Sequence, residues 1–381
     1  MNESFLQKKL SERSAQMALR QLRQPEGLTD FCSNDYLGII HEGLTEWYYL
    51  QALRRIDPEA SGQEQGLLLD RHGSGGSRLL AGNYPLIEET ENAIASFHEA
   101  PAGLLFNSGY DANLGLLSCV PQKGDTVLYD ALSHASLRDG IRLSFAQAHA
   151  FRHNDLEQLR EKLDRAAGTG TVFVVTESVF SMDGDQAPLT AMAALCAQYG
   201  ACLVVDEAHA TGVIGDRGEG LVQQLGLSGD CFARIHTFGK AAGCHGAIVL
   251  GSQTLKDYLV NFCRPFIYTT ALPESSVRAI SYAYSIFPEM TEERAQLQRL
   301  ISLFQEASLR YEKLPSSTPI QVVIIPGNEA VKAVAEDLQQ AGLDVRPILY
   351  PTVPKGLERL RIVLHAFNTE AELDKLILLL S

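Results

Sequence analysis

Two short apolar runs, VFVV at 172–175 and LVV at 203–205, set the organisation of the middle of the chain. Each has the length and β-branched character of a buried strand, and each stops at acidic and hydroxyl residues. Near-continuous hydrophobic runs of this kind, separated by helical sequence, predict parallel strands covered on both faces. The same alternation extends from 102 to about 267, through GLLFNSGYDANLG, DTVLYDALSHAS, AHAFRHND, TVFVVTES, CLVVDEAH, ARIHTFGK and HGAIVLGS. It predicts an α/β fold with a large, mostly parallel sheet joined by right-handed crossovers.

The flanks are patterned differently. The N-terminal stretch MNESFLQKKLSERSAQMALRQLRQ predicts a polar amphipathic helix, followed by a Pro/Gly turn at 25–27. FCSNDYLGII at 31–40 predicts a strand entering a turn, 47–66 a helix or loop, and the Gly-dense RHGSGGSRLLAGN at 71–83 a loop. A helix is predicted at 85–98, with Pro85 in its first turn and acidic residues early, as helix starts prefer. Past Pro273 a long helical stretch carries 278 to about 314. Strands near 320–325, 344–349 and 359–364 and a last helix from Thr369 make a smaller C-terminal α/β unit. The expected division is an N-terminal helix and strand segment over 1–45, a large domain over 46–272, and a connecting helix with a small domain over 273–381.

Composition removes several classes of function. A net charge of −14 argues against nucleic acid as a partner, since phosphate backbones need clustered cations. No apolar run approaches the roughly 18 residues of a membrane span, and the N-terminus lacks the apolar core and cleavage pattern of a secretory signal. A membrane is therefore not an expected partner, and the cytoplasm is the expected location. Cys32, Cys119, Cys196, Cys202, Cys231, Cys244 and Cys263 are scattered without a C-x-x-C pair, and the ten histidines show no H-E-x-x-H spacing. Reduced thiols and metal-free chemistry are expected.

The chemistry gathers at strand ends. Ligands of open α/β sheets bind at the carboxyl ends of the strands, where Glu177, Ser181, Asp206 and His209 fall. Lys240 follows Asp206 by 34 residues, on a Gly-flanked turn. An acid, a histidine three residues later and a downstream lysine suit pyridoxal 5′-phosphate, which needs a lysine for its Schiff base and a carboxylate for its pyridinium nitrogen. Lys240 and Asp206 would fill those roles, although such a pair alone also arises by chance in α/β proteins. Gly109 and Tyr110 open a helix after Ser108, and helix N-termini hold phosphate through free N–H groups and the dipole. GSGGSR at 73–78 lacks the P-loop spacing and precedes no evident dinucleotide-binding unit, which excludes nucleotide hydrolysis.

Eight motifs occur in order: SNDYLG (33–38), GSGGSR (73–78), FNSGYDAN (106–113), LSHAS (132–136), ESVFSMDGD (177–185), DEAHATG (206–212), TFGK (237–240) and PTVP (351–354). On these the chain resembles, over nearly its whole length, the α-oxoamine synthase family of fold-type-I pyridoxal-phosphate enzymes, most closely its biotin-biosynthesis branch. The resemblance implies the PLP-dependent transferase fold type I, with a large mostly parallel sheet domain and a smaller C-terminal α/β domain. It implies a catalytic set of Lys240, His134, Asp206 and His209. Lys240 carries the cofactor and then serves as the base at Cα, Asp206 pairs with the ring nitrogen, and His134 stacks on the ring. His209 and Ser181 lie by the phenolic oxygen, while Ser108, Gly109, Tyr110 and Thr237 hold the phosphate side and Glu177 completes the cofactor set. Thr270, beside Thr269, reaches the neighbouring subunit's cofactor, which implies a homodimer with shared active sites. Arg361 and Asn34 are implied at the amino-acid carboxylate, Arg20 at the far carboxylate of a pimeloyl chain, Ser77 by the acyl channel and Thr352 beside the acyl substrate. Two departures fall at that acyl end: Leu349 stands where the family commonly has an arginine, with Arg346 upstream, and the segment between Arg20 and Asn34 is short.

The reaction implied is decarboxylative condensation of L-alanine with a pimeloyl thioester, on coenzyme A or a carrier protein. Sibling synthases that take glycine with acetyl-CoA, make 5-aminolevulinate, or join serine to palmitoyl-CoA are the nearest alternatives, and GSGGSR and TFGK favour the alanine branch. A pyridoxal-phosphate lyase or aminotransferase, and a non-catalytic relative, are the more distant ones.

Overall fold

The computed structural model describes residues 3–22, 24, 27–56, 71–166, 168 and 170–381. Two compact units form, one from Leu37–Phe180 with Gln186–Thr291, the other from Met1–Tyr36, Ser181–Asp185 and Glu292–Ser381.

The larger unit is framed by seven strands: β1 (Ala102–Phe106), β2 (Thr126–Asp130), β3 (Gln147–Phe151), β4 (Val172–Glu177), β5 (Cys202–Asp206), β6 (Cys231–Thr237) and β7 (Ala247–Gly251). Their spatial order is β1-β7-β6-β5-β4-β2-β3. Six run in one direction; β7 alone is antiparallel, paired with β1 and β6. The expected large, mostly parallel sheet is what forms. The apolar runs that predicted these strands are buried: Val127, Phe173, Val175, Val204, Ala233, Ile235 and Val249 pack with Leu116, Leu137 and Leu259 of the covering helices in one core. Because six strands share a direction, their carboxyl ends share an edge, and Asp130, Glu177, Asp206 and Thr237 all lie on it.

The helix Pro85–Phe97 is anchored to this sheet by Glu91, whose side chain is fully buried. Its carboxylate accepts the Leu105 backbone N–H at 2.9 Å and pairs with Lys256 Nζ at 2.9 Å and with Arg78. Arg78 ends GSGGSR, so the Gly-rich loop is fastened to the start of the sheet through one buried acid. The loop is also stitched to 269–272: the Ala271 N–H donates to the Gly76 carbonyl at 2.9 Å and Ser74 Oγ to the Ala271 carbonyl at 2.8 Å.

The smaller unit carries an antiparallel sheet in the order Arg346–Ile348, Arg359–Val363, Ile320–Ile324 and Glu312–Lys313, and a two-residue parallel pair of Thr29–Asp30 with Leu343–Asp344. The last helix, Glu370–Leu380, begins with a capping box between Thr369 and Glu372. The segment Ser181–Asp185 belongs here. The Gly184 carbonyl accepts from Ser316 Oγ and Thr318 Oγ1, both at 2.8 Å, and Asp183 pairs with Arg359 at 2.5 Å.

Local expectations are corrected at three places. No strand forms at 31–40; pairing stops at Asp30, whose carboxylate accepts the Cys32 and Ser33 N–H groups at 2.7 and 2.8 Å and turns the chain. The stretch from 278 to 314 is two helices, Glu274–Ile286 and Thr291–Glu306, split by a 3₁₀ turn at Phe287–Glu289, where Pro288 cannot donate to a continuing helix. The boundaries drawn at 45/46 and 272/273 fall inside the helix Leu44–Ile56 and inside the larger unit. The helix-or-loop expectation for 47–66 is a helix as far as Ile56; residues 57–66, and 25–26 of the Pro/Gly turn, lie outside the described residues. No helix among the described residues is long and apolar enough to cross a membrane.

Replacing Glu91 with alanine leaves two partly buried cations without their acid and a backbone N–H without its acceptor, a loss on the order of 1–3 kcal/mol. The variant should unfold at clearly lower urea concentration than the parent; an unchanged midpoint would show that the anchor is dispensable.

Candidate active site

Asp206 ends β5 and is 5% exposed. One of its carboxylate oxygens accepts the Ala208 N–H at 2.9 Å, the other the side-chain amide of Asn113 at 2.7 Å. Asn113 comes from the helix Gly109–Cys119, and the same Nδ2 donates to Ser136 Oγ at 3.0 Å. Ser136 Oγ is 2.8 Å from His134 Nδ1, which also accepts the Ser136 backbone N–H at 3.2 Å, so His134 is the N-cap of the helix Ala135–Leu143. The His134 N–H in turn donates to Glu177 at 2.6 Å, and Glu177 lies beside Asp206 in the β4–β5 register. His209 Nε2 is 2.6 Å from Lys240 Nζ. Side chains from four strand ends and two helix starts thus meet along one sheet edge.

The corner formed by Ser108, Gly109 and Thr237 is equally local. Ser108 caps the helix Gly109–Cys119 by accepting the Asp111 N–H at 3.1 Å. A Cβ at Gly109 would sit 3.2 Å from Thr237 Oγ1, so the absence of a side chain lets the helix N-terminus and the Thr237 hydroxyl face the same small space.

Burial is the largest influence on the acid of this network: it pushes the Glu177 carboxyl up to about 8, and the neighbouring Asp206 charge pushes the same way. Burial also holds His134 below its ordinary value of 6.5, favouring the neutral ring.

These residues fit pyridoxal 5′-phosphate. A buried carboxylate is held on both oxygens, a lysine lies within reach of a histidine, a capped helix N-terminus opens beside a hydroxyl, and Asn113 Oδ1 is buried with no hydrogen-bond partner among the described residues.

Other expected residues are placed as follows. Tyr110 is about half exposed, and its hydroxyl donates to Asp139 at 2.5 Å. The Thr270 carbonyl and the Thr269 hydroxyl both accept from Asn107 Nδ2 at 2.9 Å. The Ser77 carbonyl closes the turn of the Gly-rich loop by accepting the Gly82 N–H at 2.9 Å. In the smaller unit, Arg361 donates from Nη2 to Asn34 Oδ1 at 3.0 Å and from Nε to the Ser181 carbonyl at 2.7 Å, bringing three expected residues together. Arg20 donates to Thr352 Oγ1 at 3.4 Å. Arg20, Arg346 and Leu349 line a cleft of about 810 Å³ in the same unit, with Arg346 held by Asp344 at 2.6 Å.

The sequence reading assigned no role to Asn113 or Ser136. The available signal was spacing: Asn113 is one helical turn after Gly109, on the same face, and Ser136 is at the second helical position after His134.

The folded carboxyl of Glu177 sits above its unfolded value of 4.5, so its contribution to stability is present below that value and is lost as pH rises towards about 8. Glu177→Gln keeps an acceptor for the His134 N–H and removes the ionisation. In cofactor-free protein, thermal midpoints of the variant should fall less between pH 5 and 8 than those of the parent. Parallel profiles would refute the assignment.

The family model of aminotransferase class I and II matches residues 26–379. An 8-amino-7-oxononanoate synthase of Emericella nidulans is 41% identical, across 98% of this chain and 93% of its own. The 8-amino-7-oxononanoate synthase structure from Francisella tularensis superposes with a TM-score of 0.75 at 27% identity, covering 93% of this chain and 97% of that one. A serine palmitoyltransferase of S. paucimobilis with bound PLP and myriocin superposes with a TM-score of 0.84 at 27% identity, covering 100% and 97%. The family match over residues 26–379 and relatives near 40% identity over nearly the whole chain place it in the aminotransferase class I and II family, among the pyridoxal-phosphate-dependent 8-amino-7-oxononanoate synthases.

Proposed function

We propose that the chain condenses L-alanine with a pimeloyl thioester, on coenzyme A or a carrier protein, releasing the thiol and carbon dioxide and yielding 8-amino-7-oxononanoate for biotin biosynthesis. The observation that carries this reading is the gathering of Lys240, His209, Asp206 and His134 on one sheet edge, in a chain 41% identical to a synthase of that name.

Pyridoxal 5′-phosphate, when bound, supplies an electron sink for the substrate carbanion. The protein supplies the rest. Asp206 offers a fixed negative charge to the ring nitrogen, and Ser108, Gly109, Tyr110 and Thr237 hold the phosphate. Lys240 would hold the cofactor, and its free Nζ would take the Cα proton of alanine. The 2.6 Å contact with His209 orients that amine for both tasks. Neutral His134 offers a flat, uncharged face, and burial of Asp206, Glu177 and Asn113 keeps water from the carbanion. Arg361 and Asn34, already joined, are the pair we assign to the amino-acid carboxylate, which a guanidinium fork suits better than an ammonium. Arg20, Thr352 and Ser77 are assigned to the acyl substrate.

The same reading makes the enzyme a cytoplasmic homodimer, with Thr270 reaching the partner's cofactor. In support, the larger unit leaves the large apolar side chains Leu80, Phe145 and Tyr268 exposed to 88%, 81% and 73%. The chain's seven cysteines are free thiols, as a reducing compartment favours.

Thiol release from pimeloyl-CoA, measured with L-alanine, glycine or L-serine as co-substrate, tests the reaction. It should be fast only with L-alanine, with 8-amino-7-oxononanoate as product, and Lys240→Ala should lose at least about a thousandfold while keeping its circular dichroism spectrum. Activity confined to glycine or serine would move the enzyme to a sibling synthase, and near-normal turnover by Lys240→Ala would overturn the mechanism.

A further inference from the structure

We infer that Asn113 is a positioning residue that locks Asp206 and His134 into one hydrogen-bonded unit, resting on the reading that this edge binds pyridoxal 5′-phosphate. The argument follows the donors. His134 Nδ1 accepts a backbone N–H, that of Ser136, at 3.2 Å. A nitrogen that accepts from an amide carries no proton, so the proton of the neutral ring is on Nε2.

Ser136 Oγ also approaches Nδ1, at 2.8 Å, and must therefore donate to it. A hydroxyl that donates there has only lone pairs left for its other neighbour, the Asn113 amide at 3.0 Å, so Nδ2 is the donor in that contact. The second proton of the same Nδ2 goes to Asp206 at 2.7 Å. Every link then has one direction, from Asn113 outward to the carboxylate on one side and through Ser136 to the imidazole on the other.

The amide is the single group that makes both links. It is 2% exposed, on the second turn of the helix whose N-terminus forms the phosphate corner. One rigid element therefore registers three parts of the site: phosphate corner, ring-nitrogen acid and ring-stacking histidine. Asn113 Oδ1 is left buried and unpartnered among the described residues, on the side of the amide that the protein does not use.

Asn113→Asp tests the donor role without changing shape, because it replaces a two-proton donor with an acceptor facing Asp206 across the same distance. Ser136→Ala cuts only the histidine branch. Cofactor affinity should be measured by visible absorption titration of each protein with pyridoxal 5′-phosphate from pH 6 to 9, with thermal melts to confirm folding. Asn113→Asp should bind at least about tenfold more weakly, the scale of a buried hydrogen bond to a charged group, and its affinity should fall further as pH rises and the paired acids share fewer protons. Ser136→Ala should bind the cofactor with an affinity and a pH profile near those of the parent, since the backbone N–H at 136 still fixes the imidazole tautomer. Asparagine at 113 restored by reversion should recover the parent profile. Asn113→Asp matching the parent in affinity and pH profile would overturn the role, as would equal losses in both variants, since then Asn113 would not act through Asp206. Failure of the parent to take up the cofactor would instead defeat the reading of the site.

Discussion

Two carboxyl groups, Glu177 and Asp206, end neighbouring parallel strands in register and are both almost completely buried. Two adjacent buried anions would repel each other. The arrangement is resolved asymmetrically. Asp206 takes N–H bonds on both oxygens, while Glu177 is pushed towards its neutral form by burial and by Asp206 itself, with Lys240 pulling the other way. One fixed negative charge in a dry place results, which is what a protonated pyridine ring requires. The rest of the site follows from protecting that charge.

The sheet makes this possible at low cost. Six parallel strands bring their carboxyl ends to one edge without special loops, and the covering helices start there, so acids, caps and helix N-termini are adjacent by construction. Glu91 performs a parallel service at the start of the sheet, where one buried acid fastens the Gly-rich loop, β1 and Lys256 together. In both places a buried acid gathers donors from separate elements of the chain.

Much of this was legible in the sequence because the signals are local. VFVV and LVV are strands whatever surrounds them, and TESVFSMDGD and DEAHATG place their polar residues directly after those strands. Arg361 and Asn34, assigned together to the amino-acid carboxylate, are joined by a hydrogen bond. What was not legible depends on partners far along the chain. A strand at 31–40 looked sound from its apolar residues, but the Asp30 side chain takes the two N–H groups that pairing would need. Asn113 looked like one polar residue in an ordinary helix; its meaning lies 93 residues away, at Asp206. The grouping of Ser181–Asp185 with the smaller unit likewise rests on Ser316, Thr318 and Arg359, which no pattern around 181 announces.

The account stands or falls on where the cofactor attaches. Purified protein should be loaded with pyridoxal 5′-phosphate, reduced with borohydride, digested and mapped by mass spectrometry. A single phosphopyridoxyl modification on the peptide carrying Lys240, lost when L-alanine is present in excess before reduction, is the predicted result. Modification spread over surface lysines, or seated on a lysine other than Lys240, would contradict the site built here from Asp206 outward.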